Sequence, residues 1–460
     1  MDLPFLNRDR ERARLQVVLA RRHDSLVCVY GRRRLGKSRL IREILSGRSA
    51  AYYVGDERDG ALQREALARE IAALVPGFAD VVYPGWEALL ARWWETAPAG
   101  AVLALDEFPL VVAASPELPS LLQKLVDRRS GKSRKTIVCG SSQEMMHGLV
   151  LDGSAPLYGR CEEILRIEPL GPGCLKQGFG LKDATATVDT YALWGGVPRY
   201  WELALGCAGR NDALARLVLD PLAVLHREPE RLLRDDIRDS SRAASILALI
   251  AQGSHRLSEI GGRLGQPATS LARPLARLVD LGFVTRETPW GASPRDSKRS
   301  FYRLADPFLR FWYRFVEPNR SRLGAGRIDA VVADMVTAWP AHVAGVWEDL
   351  VRAAIPRRRL VGTSWSVASR WWGKGLDGQP IEIDALAASS GDPDRVLVVE
   401  VKLSVRAGEV AGLLAELERK AARCPVLVGK RVVATLWVLR PPRGGPRPRV
   451  FSGDDVVAAL

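Results

Sequence analysis

The hydrophobic and polar positions divide the chain into strand-like and helical stretches. Near the N-terminus, the apolar runs SLVCVY, AVLALD and TIVCG have the length and composition of buried strands. From Ser241 onward, three short amphipathic segments precede two strand-like runs, FVTRE and SKRSFYRLA. Further on, AGVWEDLVRAAI has helical spacing, whereas PIEIDALAA and RVLVVEVKLS alternate apolar and polar residues, as half-buried strands do. We therefore expect helices and strands throughout the chain.

The middle pattern is typical of a winged helix-turn-helix, which we expect over residues 241–304. Its third helix, about 269–281, would contact nucleic acid through Arg273 and Arg277, which are four residues apart on one face. Pro274 is expected in the first turn of that helix, where a missing N–H is tolerated. Further basic residues surround the expected wing: Arg286, Arg295, Lys298 and Arg299. The alternative is a domain that only packs against its neighbour and relays its state.

Length and charge narrow the class of protein. A chain of 460 residues is too long for one ordinary core, and a usual domain size of roughly 150 residues suggests about three units. The formal net charge of +14 favours a polyanionic partner, and nucleic acid, with DNA preferred over RNA, is the first candidate. Six scattered cysteines without CxxC pairs indicate buried free thiols. Since no apolar signal core or membrane span is evident, we expect a cytoplasmic protein without membrane association.

A phosphate-binding loop follows the first predicted strand. The sequence GRRRLGKS matches G-x-x-x-x-G-K-[ST] with Gly31, Gly36, Lys37 and Ser38, and it leads into a helical pattern. The glycines let backbone N–H groups face phosphate oxygens at a helix N-terminus. Lys37 would reach the β- and γ-phosphates of ATP, and Ser38 would bind Mg²⁺. The order of strand, loop and helix is the one that this chemistry requires.

The second and third predicted strands end in residues that suit nucleotide hydrolysis. AVLALDEF ends in Asp106, a candidate Mg²⁺ ligand, and Glu107, a candidate for activating the attacking water. TIVCGSSQ ends in Ser141 and Ser142, either of which could contact the γ-phosphate or that water. An ordinary turn or helix cap is the alternative for these serines.

Two later segments add candidates. Arg160, in PLYGRCEE, could stabilise charge on the transferred phosphoryl group as an arginine finger, or could simply be solvated. In LWGGVPRYW, Gly195, Gly196 and Pro198 form a rigid turn that could close over the nucleotide or cap a helix.

Taken together, the motifs FLNRDRERARL, VYGRRRLGKSRLI, LALDEFP, CGSSQEMM, PLYGR and GGVPRYW resemble those of the archaeal-type AAA+/STAND-related P-loop ATPases. The resemblance covers roughly residues 1–235. It implies an α/β fold with a parallel αβα ATPase core, expected over residues 1–170, followed by a helical lid over 171–240. It also implies that Gly196 and Pro198 lie near the nucleotide base.

The C-terminal strands carry charged residues in a pattern that needs an explanation. Glu400 and Lys402 are two positions apart and therefore point to the same side of a strand whose other side carries Val399 and Val401. Upstream, Glu382 and Asp384 alternate with apolar residues in the same way. Fifteen residues separate Asp384 from Glu400, enough for a hairpin through SSGDPDR that sets the two carboxylates side by side. A structural ion pair is the simplest alternative.

Two neighbouring carboxylates favour a bound cation, and Mg²⁺ or Mn²⁺ prefers such oxygen ligands. Glu348, in the preceding helix, is positioned in sequence to supply a further acid. The order Glu, Asp, Glu-x-Lys resembles a PD-(D/E)XK nuclease core, and the match covers roughly residues 305–460 with an aromatic connector at its start. The resemblance implies Asp384, Glu400 and Lys402 as catalytic residues, with Glu348 as an assisting metal ligand. A degenerate version that does not cut stays open.

The patterns favour an ATP-hydrolysing, DNA-binding protein that couples its nucleotide state to a metal-dependent nuclease-like domain. One alternative is a STAND-like regulatory switch whose C-terminal domain binds nucleic acid or a partner without cutting. Another is a transcription regulator that acts through the winged helix, but this leaves the acidic strands unexplained. The sequence leaves open whether the protein forms a homo-oligomer and whether Arg160 acts in its own subunit.

Overall fold

The computed structural model describes residues 3–128, 133–237, 239–293, 299–442 and 448–460, without the side chain of Glu144. Arg295 and Lys298, expected beside the wing, lie outside these ranges. The chain forms two compact units. Residues 5–128, 133–169 and 235–237 belong to the N-terminal unit, and the other described residues belong to the C-terminal unit. No helix in the described ranges is both long enough and apolar enough to cross a membrane.

The N-terminal unit is built on a parallel sheet. Its strands are β1 (Ser25–Tyr30), β2 (Ala50–Val54), β3 (Val102–Asp106), β4 (Lys135–Gly140) and β5 (Cys161–Arg166), in the order β2-β3-β4-β1-β5. Its helices are α1 (Asp9–Leu19), α2 (Lys37–Leu45), α3 (Gly60–Ala72), α4 (Trp86–Thr96), α5 (Phe108–Ala114), α6 (Leu118–Arg128) and α7 (Gln143–Met146). This α/β arrangement confirms the expected parallel sheet.

The three predicted apolar runs of this unit are its central strands. Nearly every residue of β1, β3 and β4 is buried because helices cover the sheet. Leu103 and Leu105 of β3 pack in one cluster with Trp86 and Trp93 of α4. Since the strands are parallel, their carboxyl ends lie at one edge of the sheet, which is where ligands bind in open α/β sheets.

The C-terminal unit begins with helices. They are α8 (Pro172–Phe179), α9 (Ala184–Trp194), α10 (Pro198–Leu205), α11 (Arg210–Leu214) and α12 (Glu228–Asp236), whose last two residues count with the other unit. Then come α13 (Ser240–Ala251), α14 (Leu257–Leu264), α15 (Ala268–Asp280) and an antiparallel pair, β6 (Val284–Glu287) and β7 (Phe301–Leu304).

Helix α15 differs from the sequence expectation in one respect. Pro274 is its seventh residue and lies in the helix interior, so the prediction that it would occupy the first turn was wrong. A proline there cannot donate a hydrogen bond to the carbonyl of Ser270, four residues earlier. Arg242 of α13 instead donates to that carbonyl oxygen at 3.1 Å. This contact from a neighbouring helix replaces the missing bond.

The last part of the unit is a mixed sheet between helices. Two short strands before it, β8 (Arg359–Leu360) and β9 (Thr363–Ser364), form a separate pair. The strands of this sheet are β10 (Ser369–Lys374), β11 (Pro380–Ser389), β12 (Asp392–Ser404), β13 (Arg431–Arg440) and β14 (Val450–Ser452), and they lie in the order β10-β11-β12-β13-β14. Its helices are α16 (Pro307–Phe311), α17 (Arg320–Gly324), α18 (Ile328–Ala354), α19 (Val410–Ala422) and α20 (Gly453–Val457). The predicted β11–β12 hairpin is confirmed, with Ser389 paired to Asp392.

Strand β12 alternates between two cores, as its sequence predicts. Val399 and Val401 pack in the cluster that contains α18, whereas Val396 and Val398 pack in the cluster that contains α19. In β11 the alternation is interrupted. Three steps along β11, from Leu386 to Ile383, match two steps along β10, so β11 carries a bulge beside Asp384.

The six cysteines are all free thiols. Cys28, Cys139, Cys174 and Cys424 are buried, as the sequence predicted, but Cys161 and Cys207 are only half-buried.

Candidate functional site

The loop between β1 and α2 has the backbone that phosphate binding requires. Gly31 has φ 149° and Gly36 has φ 86°, conformations that side-chain-bearing residues rarely adopt. A Cβ atom on Gly31 would lie 2.6 Å from the carbonyl oxygen of Ile167, so the close approach of two chain segments also demands glycine. Helix α2 begins at Lys37 with no side-chain cap, which leaves its first N–H groups directed at the loop.

Lys37 is held by the loop that precedes it. Its ammonium donates to the carbonyl oxygens of Gly31 at 2.8 Å and Arg32 at 3.0 Å. Burial lowers the pKa of Lys37, although nearby Glu107 and Asp106 oppose the shift. The acids of this edge therefore help to keep the lysine charged, as phosphate binding requires.

Asp106 lies at the carboxyl end of β3 within reach of the loop. Burial opposes its ionisation, but hydrogen bonds from Ser38 and Tyr52 hold the pKa of Asp106 below its usual value. The Tyr52 hydroxyl donates to Asp106 Oδ2 at 2.5 Å. Ser38 and Asp106 thus meet as a hydroxyl and an ionised carboxylate, a donor set that fits Mg²⁺ bound together with substrate phosphates. Sequence reasoning missed Tyr52, because its role depends on β2 lying next to β3.

Glu107 and Ser141 are brought together from neighbouring strands. The Ser141 hydroxyl donates to Glu107 Oε1 at 2.9 Å. Glu107 has φ 47° and ψ 40°, a left-handed conformation that is unusual for a glutamate and often found at functional positions. The two residues follow β3 and β4, so the geometry fits the roles predicted for them without testing those roles.

Two acids from the end of α12 also interact electrostatically with the loop, and sequence reasoning missed both. Asp235 forms a salt bridge with Arg33 at 2.8 Å. Asp236 is buried, and burial raises its pKa to about 6 although the charges of Arg32 and Lys37 lower it. These contacts join residues about 200 positions apart, and no local pattern indicates them.

Arg160 is engaged by an acid in this arrangement. Its guanidinium forms a salt bridge with Asp127 at 3.1 Å and donates to the carbonyl oxygens of Pro156 and Tyr158. A role as arginine finger would require Arg160 to leave Asp127, and that role stays a prediction.

The GGVP turn lies in the C-terminal unit. The Gly196 carbonyl accepts a hydrogen bond from the N–H of Leu170 at 2.8 Å, and Pro198 is the first residue of α10. Gly195, with φ 60°, presents its carbonyl to the indole of Trp201 at 2.9 Å. These bonds explain the turn as a helix start, and the predicted contact of Gly196 and Pro198 with a nucleotide base stays a prediction.

The candidate nuclease carboxylates lie where β11 and β12 separate. Pairing of the two strands ends at Ala385 and Val399. Beyond that point, Asp384 Oδ2 accepts a hydrogen bond from the N–H of Val401 at 2.7 Å. The side chain therefore takes the place of the missing ladder partner and is fixed against β12.

Each carboxylate oxygen of Glu400 contacts the ammonium group of a lysine. Lys402 lies 2.7 Å from one carboxylate oxygen, which confirms that these two residues point to the same side of β12, and Lys420 of α19 lies 3.3 Å from the other. Burial lowers the pKa of Lys402, but the hydrogen bond and charge of Glu400 outweigh it and raise the pKa overall. Lys402 is thus protonated, which suits stabilising charge at phosphorus and not removing a proton from water. Sequence reasoning missed Lys420.

Asp384 is the acid of this group whose pKa is raised. Burial raises its pKa to about 6, and the charges of Glu400 and Glu348 add to the effect. Glu348 itself lies 3.7 Å from Arg352, four residues along α18, and Arg352 donates to the carbonyl oxygen of Asp384 at 3.0 Å. In the described ranges, no group of three or more His, Cys, Asp or Glu could hold a metal ion as placed. A metal ion held by Asp384 and Glu400 alone would keep most of its water, and the role of Glu348 as a further ligand stays a prediction.

The basic residues expected to contact DNA are partly accessible. Arg273 of α15 is exposed, and Arg277 is half-buried. Arg286 of β6 is exposed and donates to the Ser300 hydroxyl at 2.9 Å, and Arg299 donates to the carbonyl of Trp372 at 2.9 Å. Arg273 and Arg286 thus present charge to solvent.

Comparison with known proteins finds two families that each match part of the chain, and solved structures that align with it. Residues 5–202 match a family described as an ATPase domain predominantly from Archaea, and residues 312–413 match one described as "Archaea bacterial proteins of unknown function". An uncharacterized protein of Methanocaldococcus jannaschii is 27% identical over 422 residues, covering 91% of this chain and 92% of that protein.

Among solved structures, a Walker-type ATPase of Pyrococcus abyssi aligns with a TM-score of 0.54 at 22% identity, covering 67% of this chain and 96% of that one. The ORC2 protein of Aeropyrum pernix aligns with a TM-score of 0.47 at 16% identity, covering 71% and 96%. At these identities, the likeness to the Pyrococcus enzyme is one of fold alone.

Proposed function

We propose that this chain, whose residues 5–202 form an archaeal-type P-loop ATPase domain that hydrolyses ATP, couples its nucleotide state to a DNA-directed nuclease site in its C-terminal unit. The observation that carries the proposal is the convergence of Asp384, Glu400 and Lys402 where β11 and β12 separate. Because ATP binding can shift a balance between conformations, the ATPase would gate cleavage and need not drive movement along DNA.

In the N-terminal unit, different residues would bind the phosphates, bind Mg²⁺ and position the attacking water. Lys37 and the loop N–H groups would hold the phosphates, and Ser38 and Asp106 would hold Mg²⁺, which neutralises charge on the phosphates. Glu107, oriented by the Ser141 hydroxyl, would position the attacking water.

In the nuclease site, Asp384 and Glu400 would hold Mg²⁺ or Mn²⁺, which supplies an activated water and polarises the phosphate when bound. The raised pKa of Asp384 supports this, because a cation between the two acids would relieve the repulsion that Glu400 adds to the cost of burial. Protonated Lys402 would stabilise charge at phosphorus.

DNA would be held by residues 241–304. Three helices followed by the antiparallel pair β6–β7 is an arrangement typical of a winged helix, in which α15 would enter the major groove. The net charge of +14 and exposed Arg273 support the proposal.

A second candidate function is a regulatory switch whose C-terminal unit binds DNA without cutting it. The observation that favours it is the neutralisation of the acids: both oxygens of Glu400 contact lysines, and Glu348 pairs with Arg352. A site whose acids are paired in this way does not need a metal. Divalent metal binding therefore discriminates between the two candidates.

The test is a cleavage assay on linear and circular DNA with Mg²⁺ or Mn²⁺, with and without ATP. Wild type is compared with Asp384→Ala and Lys37→Ala, and Glu382→Ala, an exposed acid on the same strand, is the matched control. Cleavage that is lost in Asp384→Ala, kept in Glu382→Ala, and no longer altered by ATP in Lys37→Ala is the expected result.

Intact DNA under every condition, with ATP hydrolysis that depends on Lys37 and no Mn²⁺ bound by Lys37→Ala, would refute the nuclease and leave the switch. Light scattering with and without ATP would test for a homo-oligomer. If an oligomer forms, mixing Lys37→Ala with Arg160→Ala subunits would restore ATP hydrolysis only if Arg160 acts across subunits.

A further inference from the structure

The C-terminal unit contains a cavity of about 200 Å³ between α13, β7, α18 and the turn of helix that follows α16. Its lining is strongly basic: among the described residues that bound it are Arg303, Arg310, Arg314, His255 and His342, and none is a carboxylate. No residue of the P-loop or of the candidate nuclease site lines it.

Two of the arginines are fixed in place from behind the cavity. Arg303 lies 3.4 Å from Asp349 and also contacts Glu287, and Arg310 pairs with the second oxygen of Asp349. Arg310 further donates to the carbonyl oxygen of Leu304 at 2.5 Å. The guanidiniums are therefore held in one orientation before any ligand arrives, which lowers the entropic cost of binding.

Arg314 brings a charge that the rest of the cavity does not balance. It is exposed, and it forms no ion pair with any residue in the described ranges. Its pKa is lowered by burial of part of the side chain, with no acid nearby to oppose the effect. Of the three guanidiniums, those of Arg303 and Arg310 contact Asp349, and that of Arg303 also contacts Glu287.

The protonation state of His342 reflects its burial and the positive charge of the arginines around it. Its Nε2 lies 2.9 Å from the carbonyl oxygen of Ala192, and because a carbonyl only accepts, this nitrogen carries the hydrogen. Burial lowers the pKa of His342 to about 4, and the charges of Arg310 and Arg314 add to the shift. The imidazole is therefore neutral, and its Nδ1 can accept a hydrogen bond in the cavity.

We propose that this cavity binds a phosphate group. Guanidiniums recognise phosphate oxygens through paired N–H groups. Arg314, which has no acid partner in the described ranges, can offer such a pair, and Arg303 and Arg310 add positive charge beside it. The volume supports a small anion: about 200 Å³ is below the roughly 300 Å³ at which pockets begin to enclose drug-sized ligands. Gly345 lines the same space, and a Cβ atom there would be in ordinary contact with the Arg303 guanidinium at 3.4 Å.

The test uses the full chain and inorganic phosphate, with chloride at equal ionic strength as the reference, and calorimetry and the melting temperature as readouts. Because the P-loop also binds phosphate, Lys37→Ala is measured beside Arg314→Gln. The control is Arg216→Gln, since Arg216 is an exposed arginine of the same unit with its own acid partner. We expect saturable binding in wild type, Lys37→Ala and Arg216→Gln. Adding Arg314→Gln to Lys37→Ala should weaken the remaining binding about tenfold, because the cavity loses a charged hydrogen-bond donor.

Gly345→Leu supplies a second variant that fills the cavity and leaves every charge in place. Combined with Lys37→Ala, which removes phosphate binding at the P-loop, it is expected to abolish phosphate binding at an unchanged fold. Binding that survives in Arg314→Gln and Gly345→Leu but disappears in Lys37→Ala would overturn the proposal, as would no binding in Lys37→Ala at all. Binding of three probes identifies the source of the phosphate, provided that the binding of each is weakened by Arg314→Gln. Preference for a 5′-phosphorylated over a 5′-hydroxyl oligonucleotide indicates a nucleic-acid end, equal binding of both indicates the backbone, and binding of inorganic phosphate alone indicates a free anion.

Discussion

Replacing Asp236 by asparagine is expected to change how the stability of the protein depends on pH. The Asp236 side chain is only 4% exposed, and burial raises its pKa from 3.8 to about 6. Because the folded protein holds the proton of Asp236 more tightly than the unfolded chain does, this residue destabilises the fold least at low pH. Stability is therefore lost as the pH rises from about 4 through 6, and the full cost is present above that window.

The magnitude follows from the two pKa values. The difference between 3.8 and about 6 corresponds to about 3 kcal/mol, at about 1.4 kcal/mol for each pH unit. Asparagine does not ionise and keeps the polar shape, so the variant escapes this cost. The wild type should accordingly lose roughly 2.5 kcal/mol of this relative to Asp236→Asn between pH 4 and pH 7, since a small part of the loss occurs below pH 4.

The assay is urea unfolding at a series of pH values, followed by circular dichroism and tryptophan fluorescence. Subtracting one protein from the other cancels groups that titrate in both, including Asp384, whose raised pKa acts in the same window. Asp9→Asn, at a side chain 89% exposed, is the control for the change of residue type. A difference between wild type and Asp236→Asn that stays constant from pH 4 to pH 7 would refute the reasoning.

Three further changes test other contacts. Asp349→Asn should lower the free energy of unfolding by about 2 kcal/mol, and urea unfolding measures the loss. Burial raises the pKa of this acid, but three arginines outweigh that effect and hold the pKa well below its usual value. Without the carboxylate, these arginines would lose a shared partner. Gly31→Ala should cost at least about 2 kcal/mol and weaken ATP binding measured by calorimetry, since the new Cβ would meet a carbonyl oxygen at 2.6 Å. Tyr52→Phe should cost about 1.5 kcal/mol by removing a bond to ionised Asp106, whereas Tyr53→Phe, which loses a neutral bond of 3.2 Å, should cost less in the same unfolding assay.

The sequence was sufficient for residues whose role depends on position within one strand or loop. Lys37, Ser38 and Asp106 could be found because parallel strands end at one edge, so residues that directly follow β1 and β3 must meet there. The pairing of Glu400 with Lys402 likewise follows from alternation along a strand. Even the contact of Glu348 with Arg352 was accessible, since residues four apart on a helix are neighbours.

Contacts that depend on sheet order or on distant chain segments could not be predicted in the same way. Tyr52 reaches Asp106 only because β2 pairs with β3, and an apolar strand pattern does not specify its neighbours. Asp236 and Lys420 reach their partners across long stretches of chain. Pro274 was placed wrongly because its tolerance comes from Arg242, a contact that local helix rules do not include.

The bulge in β11 makes the two ends of that strand unequal in their tolerance of insertions and deletions. Residues added at the turn between Ser389 and Asp392 only lengthen a surface connection. Removal of Ala385, between Ile383 and Leu386, would restore regular pairing with β10 and turn every side chain on one side of the deletion to the opposite face. Asp384 would then lose its bond to Val401 although no acid had been mutated. Length variation in relatives of this protein should therefore concentrate in the hairpin turn and spare the bulge.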